Sequence, residues 1–278
     1  IVIPPSIVFV VYGATTGTSV SKLLMSGVIP GVMAGVFMCI YAYFYARKHN
    51  IPKSDRFDIK RLAVAFKESV WALLMPIIIL GGIYSGLFTP TESAAVAVVY
   101  GLFVAVFIHR EMTPDKLFRI SIDAVKGTAN ILLLIMAASM FGYVLTVYQF
   151  PALFTELMST FISGRITFLL FLNILLIILG MLMDSGAIIL IIAPLVYPMA
   201  VSFGIDPVHL GCIIVFNLAV GQATPPFGNC LFAAIPATGQ DILTLAKNAL
   251  PFIVILFATV FLVSYVPVFS MLLPSMMK

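Results

Sequence analysis

Two short polar stretches interrupt the apolar runs of this chain: MDSG at residues 183–186 and GQATPPFG at residues 221–228. The first puts a carboxylate, Asp184, between two apolar arms. A charge at the centre of an inserted helix costs about 2.5–3.5 kcal/mol, whereas each Leu or Ile returns about 0.3–0.6. The arms are apolar enough to carry Asp184 into a membrane, where it needs a cation or a neighbouring helix end as partner. A turn at the aqueous surface explains the same residues, because Asp, Ser and Gly all suit turn geometry. Both explanations are open on the sequence alone.

The second stretch breaks a helix. A helix arriving at Val220-Gly221 leaves its last carbonyls unpaired, and Gly suits the position just past a helix end. Thr224 is then placed to cap a second half-helix with Pro225 and Pro226 in its first turn, where missing N–H groups cost least. The N–H groups of Phe227 and Gly228 are left to donate. Such a break offers carbonyl oxygens to a cation and a positive dipole end to an anion. A proline kink in a structural helix is the competing explanation. The same proline signature occurs at Pro4-Pro5, 221 positions earlier, and the same offset separates Pro30 from Pro251. Each pair precedes a short apolar segment, a polar loop with Thr-Gly, and a span. The recurrence reads as an internal duplication and favours a binding site over a kink.

Other polar residues have structural explanations. Thr89-Pro90-Thr91-Glu92, inside GLFTPTES, is a capping box with proline at the first helical position. His209 follows another helix start, Asp206-Pro207, and reads as interfacial. Trp71, near Lys67 and Glu68, reads as an interface anchor. Cys39, Cys212 and Cys230 lie singly in apolar segments and read as packing residues, with no disulfide or metal framework. The sequence contains no Walker A, HExxH or GxSxG pattern, and Asp184 is the only acid deep in a span. No enzyme and no cofactor are expected.

The elements that must position these residues are transmembrane helices. The chain is 62% hydrophobic and 9% charged, against roughly a quarter charged in soluble domains. Its apolar runs are continuous and not alternating, which excludes barrel strands. An all-α, multi-pass integral membrane protein follows. Spans are expected at 24–46, 69–87, 91–108 and 127–148. Lys and Arg cluster in 47–67 and 110–126, which places both loops in the cytoplasm, and an amphipathic surface helix is expected near Ile59–Phe66. Residues 149–165 carry only Glu156 and Arg165 and fit the opposite side. The stretch 166–201 divides at MDSG into arms of 166–183 and 187–201. An arm of 18 residues is ~27 Å long, just short of the ~30 Å hydrocarbon core, so a helical hairpin with Asp184 near its tip is expected. A broken helix at 208–235 and a final span at 249–267 complete the chain.

These boundaries give four regions: 1–46 as the end of a first repeat, 47–68 as a cytoplasmic connector, 69–148 as scaffold spans and 149–278 as a second repeat. With the hairpin returning to its own side, the two broken helices run in opposite directions, an inverted-topology repeat. A channel wants rings of charges or carbonyls from several subunits. Inverted broken helices point instead to a secondary transporter, with an ion channel or a passive structural membrane subunit as the alternative. The chain starts inside an apolar segment without an initiator Met or a signal-peptide pattern and is expected to be the C-terminal part of a longer protein.

IPPSIVFVVYG, GLFTPTESAAVAV, GMLMDSGAIILIIAPLVYP, GIDPVHLG and TPPFG together resemble the large membrane subunit of tripartite ATP-independent periplasmic (TRAP) transporters. The resemblance runs in order along nearly the whole chain. It implies an elevator-type, sodium-coupled symporter of the bacterial inner membrane. A small membrane subunit and a soluble periplasmic binding protein that delivers an organic acid, such as a C4-dicarboxylate or sialic acid, are the implied partners. Sodium is the implied coupling ion. Carried over residue by residue, a sodium site would lie between the hairpin tip (Asp184, Ser185, Gly186) and the helix break (Gly221, Gln222, Thr224). The substrate carboxylate would meet the half-helix starts at Ser6 and Phe227-Gly228, with Asn229 as a polar contact.

Overall fold

The computed structural model describes residues 1–51, 58–159, 162, 164–226 and 228–277. Among these, every regular element is helical. Seven stretches are long and apolar enough to cross a membrane: Val20–Lys48, Ile59–Tyr84, Pro90–Ile108, Pro114–Leu145, Arg165–Leu182, Ser185–Ser202 and Ile242–Tyr265. They cover most of each span and hairpin arm expected from hydropathy. The chain is an all-α integral membrane protein.

One unit comprises Phe44–Asn130. Its first helix, α4 (Ile59–Tyr84), starts at Asp58, whose carboxylate accepts from the Lys60 N–H at 2.8 Å. The surface connector and the span expected after it are one continuous helix here, because neither Pro nor Gly falls between Ile59 and Met75. Residues 52–57 of the connector lie outside the described residues. Helix α5 (Pro90–Phe103) packs on α4 and ends in a π-type turn, Val104–Ile108. The capping box is formed: the Thr89 N–H donates to Glu92 Oε2 at 2.8 Å, and the Glu92 N–H donates to Thr89 Oγ1 at 3.3 Å.

Helix α6 (Pro114–Val147) has 34 residues, or ~51 Å, well beyond the ~30 Å hydrocarbon core. Lys116, Arg119 and Lys126 therefore stand on a helical extension and not in a loop, which corrects the sequence expectation for 114–126, while Arg110 stays outside the helix. Nothing after Pro114 breaks the helix. The expected loop at 149–165 likewise contains a helix, α7 (Phe150–Ser159).

The other unit comprises Ile1–Tyr43 and Ile131–Lys278. Its centre is α10 (Pro207–Gly221), which is apolar on all sides and buried along nearly its whole length, as expected of a helix with no solvent face. Around it pack α1 (Ile7–Thr16), α2 (Val20–Ser26), α8 (Arg165–Leu182), α9 (Ser185–Ser202), α12 (Ile242–Tyr265) and α13 (Val268–Met276). Between α2 and α8 in the sequence of this unit runs α3 (Val28–Lys48), followed by the C-terminal half of α6.

The central place of α10 corrects one expectation. His209 is buried, not interfacial: its Nδ1 lies 2.6 Å from Ser270 Oγ and its Nε2 3.2 Å from the Ser264 carbonyl. Cys212 packs in the core as expected, but Cys39 and Cys230 are exposed.

The two proline pairs introduce similar local structure. Both Pro4–Pro5 and Pro225–Pro226 are cis. Each precedes a helix of 10 residues, α1 and α11 (Asn229–Thr238). Both helices end at a left-handed glycine, Gly17 at φ 71° and Gly239 at φ 65°, a backbone region that residues with a Cβ avoid. The apolar stretches Val20–Lys48 and Ile242–Tyr265 follow.

Candidate functional site

The hairpin turns within two residues. Helix α8 ends at Leu182, Met183 is extended, and Asp184 is the N-cap of α9, its carboxylate accepting from the Gly186 N–H at 2.9 Å. Asp184 is exposed and Ser185, one residue on, is buried. One carboxylate oxygen thus satisfies a helix donor, and the group stays accessible to a ligand.

The break after α10 differs in detail from the expected cap. The chain leaves the helix through tight turns, with Ala223 N–H on the Val220 carbonyl at 3.0 Å and Thr224 N–H on the Gly221 carbonyl at 2.9 Å. The Thr224 hydroxyl does not cap the next half-helix; it donates backwards to the Val220 carbonyl at 2.7 Å. The N-cap of α11 is Gly228, without a side-chain bond. The reason is distance along the chain: Pro225 and Pro226 form the turn itself and not the first helical turn, so the nearest acceptors to Thr224 are the terminal carbonyls of α10. The Gln222 carbonyl accepts from the Cys230 N–H at 3.0 Å, fastening the start of α11 to the break. The carbonyls of Gly221 and Gln222 each keep a second lone pair for a ligand. A Cβ at Gly228 would sit 2.7 Å from the Gln222 carbonyl oxygen and 2.9 Å from that of Thr224, so only glycine fits against this backbone.

Tip and break meet directly. Gln222 Nε2 donates to Ser185 Oγ at 2.8 Å, and both side chains are buried. One turn back along α8, Gly180 touches Gly221: a Cβ on Gly221 would lie 2.7 Å from Gly180 Cα. Asp184, Ser185, Gly186 and Gln222 line a cavity of about 230 Å³ together with Ile7 and Val8 of α1. Ile131, Leu134 and Ile135 of α6 close another side. The donor set is oxygen only, with one formal charge, and suits a hard cation of low charge. Among the described residues no group of three His, Cys, Asp or Glu forms that could hold a metal ion through those side chains.

Ser6 sits at the N-cap of α1 beside Ile7. It makes no capping bond, is only 5% exposed, and its hydroxyl has no partner among the described residues. A buried donor at a helix start suits an anionic oxygen. Gly228 is buried at the break, whereas Asn229 is exposed and is not among the described residues lining the cavity. Phe227 lies outside the described residues. Gly221 and Thr224 support the break without lining the cavity. The sequence reading missed Gly180, whose signal was its place near the end of an apolar arm, and the α6 residues, which carry no polar signal at all.

A family model described as "Tripartite ATP-independent periplasmic transporter, DctM component" matches residues 1–269. The C4-dicarboxylate TRAP transporter large permease protein DctM of Pseudomonas aeruginosa is 42% identical over 99% of this chain and 64% of its own length. The sialic acid TRAP transporter large permease protein SiaM of Vibrio cholerae is 35% identical, with 99% of this chain and 64% of the relative covered. The isethionate TRAP transporter permease protein DctMQ of Oleidesulfovibrio alaskensis is 38% identical over 98% of this chain and 43% of the relative. The chain spans less than two thirds of the length of each of these relatives.

Proposed function

Because this chain belongs to the DctM component family of tripartite ATP-independent periplasmic transporters, we propose that it forms part of the large membrane subunit of a sodium-coupled importer of a small organic acid. The observation that carries the proposal is the contact between Ser185 at the hairpin tip and Gln222 at the helix break, beside Asp184 in one cavity. Sodium at this junction takes oxygens from Asp184, Ser185 and the break, and so ties the hairpin to the broken helix. The substrate anion takes the helix start at Ser6, with Gly228 and Phe227 supplying the second one. Binding of the cation neutralises the carboxylate near which the anion must settle, which makes loading of the two favour each other.

Relatives named for a C4-dicarboxylate, sialic acid and isethionate share a small, anionic substrate. That shared chemistry supports an organic acid here. The working complex includes a small membrane subunit and a periplasmic binding protein, sits in the bacterial inner membrane, and moves its substrate by an elevator-type motion of an inverted repeat.

Reconstitution of the full-length protein with both partners tests this. Labelled C4-dicarboxylate or sialic acid should accumulate only under an inward sodium gradient and only with the binding protein. Ohmic current without substrate would support a channel and overturn the proposal.

A further inference from the structure

Asn173 on α8 and Asn217 on α10 are each fully buried in a mostly apolar core. Asn217 Nδ2 donates to Asn173 Oδ1 at 2.7 Å and to the Ile213 carbonyl at 2.8 Å. The Ser264 hydroxyl of α12 reaches the same Asn173 oxygen at 3.1 Å. Asn173 Nδ2 and Asn217 Oδ1 have no partner among the described residues. A pair that leaves one donor and one acceptor buried and unpaired is poorly built for stability. Replacing both partners by apolar groups of similar shape is often neutral or stabilising. Directional pairs of this kind serve instead to fix register.

The spacing shows which register is at stake. Asn173 and Gly180 are seven residues apart and share one face of α8; Asn217 and Gly221 are four apart and share one face of α10. Each helix thus presents an Asn and then a Gly to the other, in the same direction. The Gly180–Gly221 contact is close but has no polar directionality, so it does not by itself stop α8 from rotating or sliding against α10. The amide bond does. Beyond the glycines lie Ser185 and Gln222, whose 2.8 Å bond needs that register.

We infer that Asn173 and Asn217 are positioning residues: their buried bond sets the register of the hairpin against the broken helix and so holds the tip against the break. The inference rests on the proposed sodium site only for its transport readout; the geometric readout stands without it.

The test uses the full-length protein with its membrane partner, in a background lacking Cys39, Cys212 and Cys230. Cysteines replacing Ser185 and Gln222 report the tip-to-break contact by the rate of oxidative cross-linking. Asn173→Leu with Asn217→Leu should leave the thermal midpoint unchanged or raise it, yet slow cross-linking about threefold, the change expected when one interhelical bond in a membrane is lost. With Ser185 and Gln222 intact, the same pair should raise the sodium concentration for half-maximal uptake by a similar factor. Should the Leu pair not accumulate, Asn173→Ala is read by the same cross-link, with slowing again expected. Unchanged cross-linking in the folded variant overturns the clamp, whatever sodium does. Sodium-independent uptake by the parent protein would overturn the proposed coupling and leave the clamp to be decided by cross-linking alone.

Discussion

The Gln222 amide donates to the Ser185 hydroxyl at 2.8 Å, across 37 positions of sequence and between two helix ends. It is the only side-chain hydrogen bond between the hairpin tip and the helix break among the described residues. Gln222→Ala should raise the sodium concentration for half-maximal uptake about threefold, since an interhelical hydrogen bond in a membrane contributes about 0.6 kcal/mol on average. Ser185→Ala should raise it further, because it also removes an oxygen assigned to the cation. The double substitution should cost little more than Ser185→Ala alone, because the bond is already lost there. Sodium titration of uptake in proteoliposomes measures this, and fully additive losses would separate the two residues into independent roles.

Gly221 is held by space. Its missing Cβ would meet Gly180 Cα and carbonyl carbon at 2.7 Å, and neither backbone atom can step aside without moving α8. Gly221→Ala should destabilise the protein by about 1–3 kcal/mol. Gly127 on α6 makes the control, having no atom within 4 Å of the Cβ position. Gly127→Ala should stabilise by roughly 0.5–1 kcal/mol through helix propensity. Thermal unfolding in detergent compares the two, and equal effects would remove the close crossing as an explanation.

What the sequence disclosed here was punctuation. Asp184 at the tip and the Gly-Pro run at 221–228 interrupt apolar periodicity, and the structure places a helix end at each. The partners of those interruptions were harder to see. Thr224 has the residue type of an N-cap, but the turn through Pro225 and Pro226 delays α11 until Asn229, so its hydroxyl serves the preceding helix instead. His209 follows a helix start, which suggests a surface, yet that start lies at the bottom of the most buried helix. Ile131, Leu134 and Ile135 help to line the cavity from the stretch 131–138 of α6, ILLLIMAA, in which no residue differs in type from a lipid-facing one. Local chemistry was legible; which apolar face meets which was not.

Topology makes a separate prediction. Cysteines at Lys60, Lys67 or Lys116 should be inaccessible to a membrane-impermeant thiol reagent added outside intact cells, because the positive-inside rule assigns the basic ends of α4 and α6 to the cytoplasm. A cysteine at Glu156 should react. Cys39 and Cys230 are exposed and must first be removed. Labelling of the basic segments from outside would reverse the orientation.

Ser6 offers the sharpest separation of function from stability. Its hydroxyl is buried at the start of α1, caps nothing, and has no partner among the described residues. A buried, unpaired hydroxyl costs a fold about 1–3 kcal/mol, so Ser6→Ala should leave thermal stability unchanged or raise it. A hydrogen bond to a charged group is stronger, about 1.5–3 kcal/mol. If the hydroxyl is held for a substrate carboxylate, its loss should therefore raise the substrate concentration for half-maximal uptake roughly tenfold to a hundredfold. Sodium dependence should move far less, since Ser6 is not among the oxygens assigned to the cation. Substrate titration at saturating sodium, alongside a melting curve of the same preparation, decides the matter. A variant that melts earlier and takes up substrate with unchanged half-saturation would make Ser6 a structural residue and move the anion site away from α1.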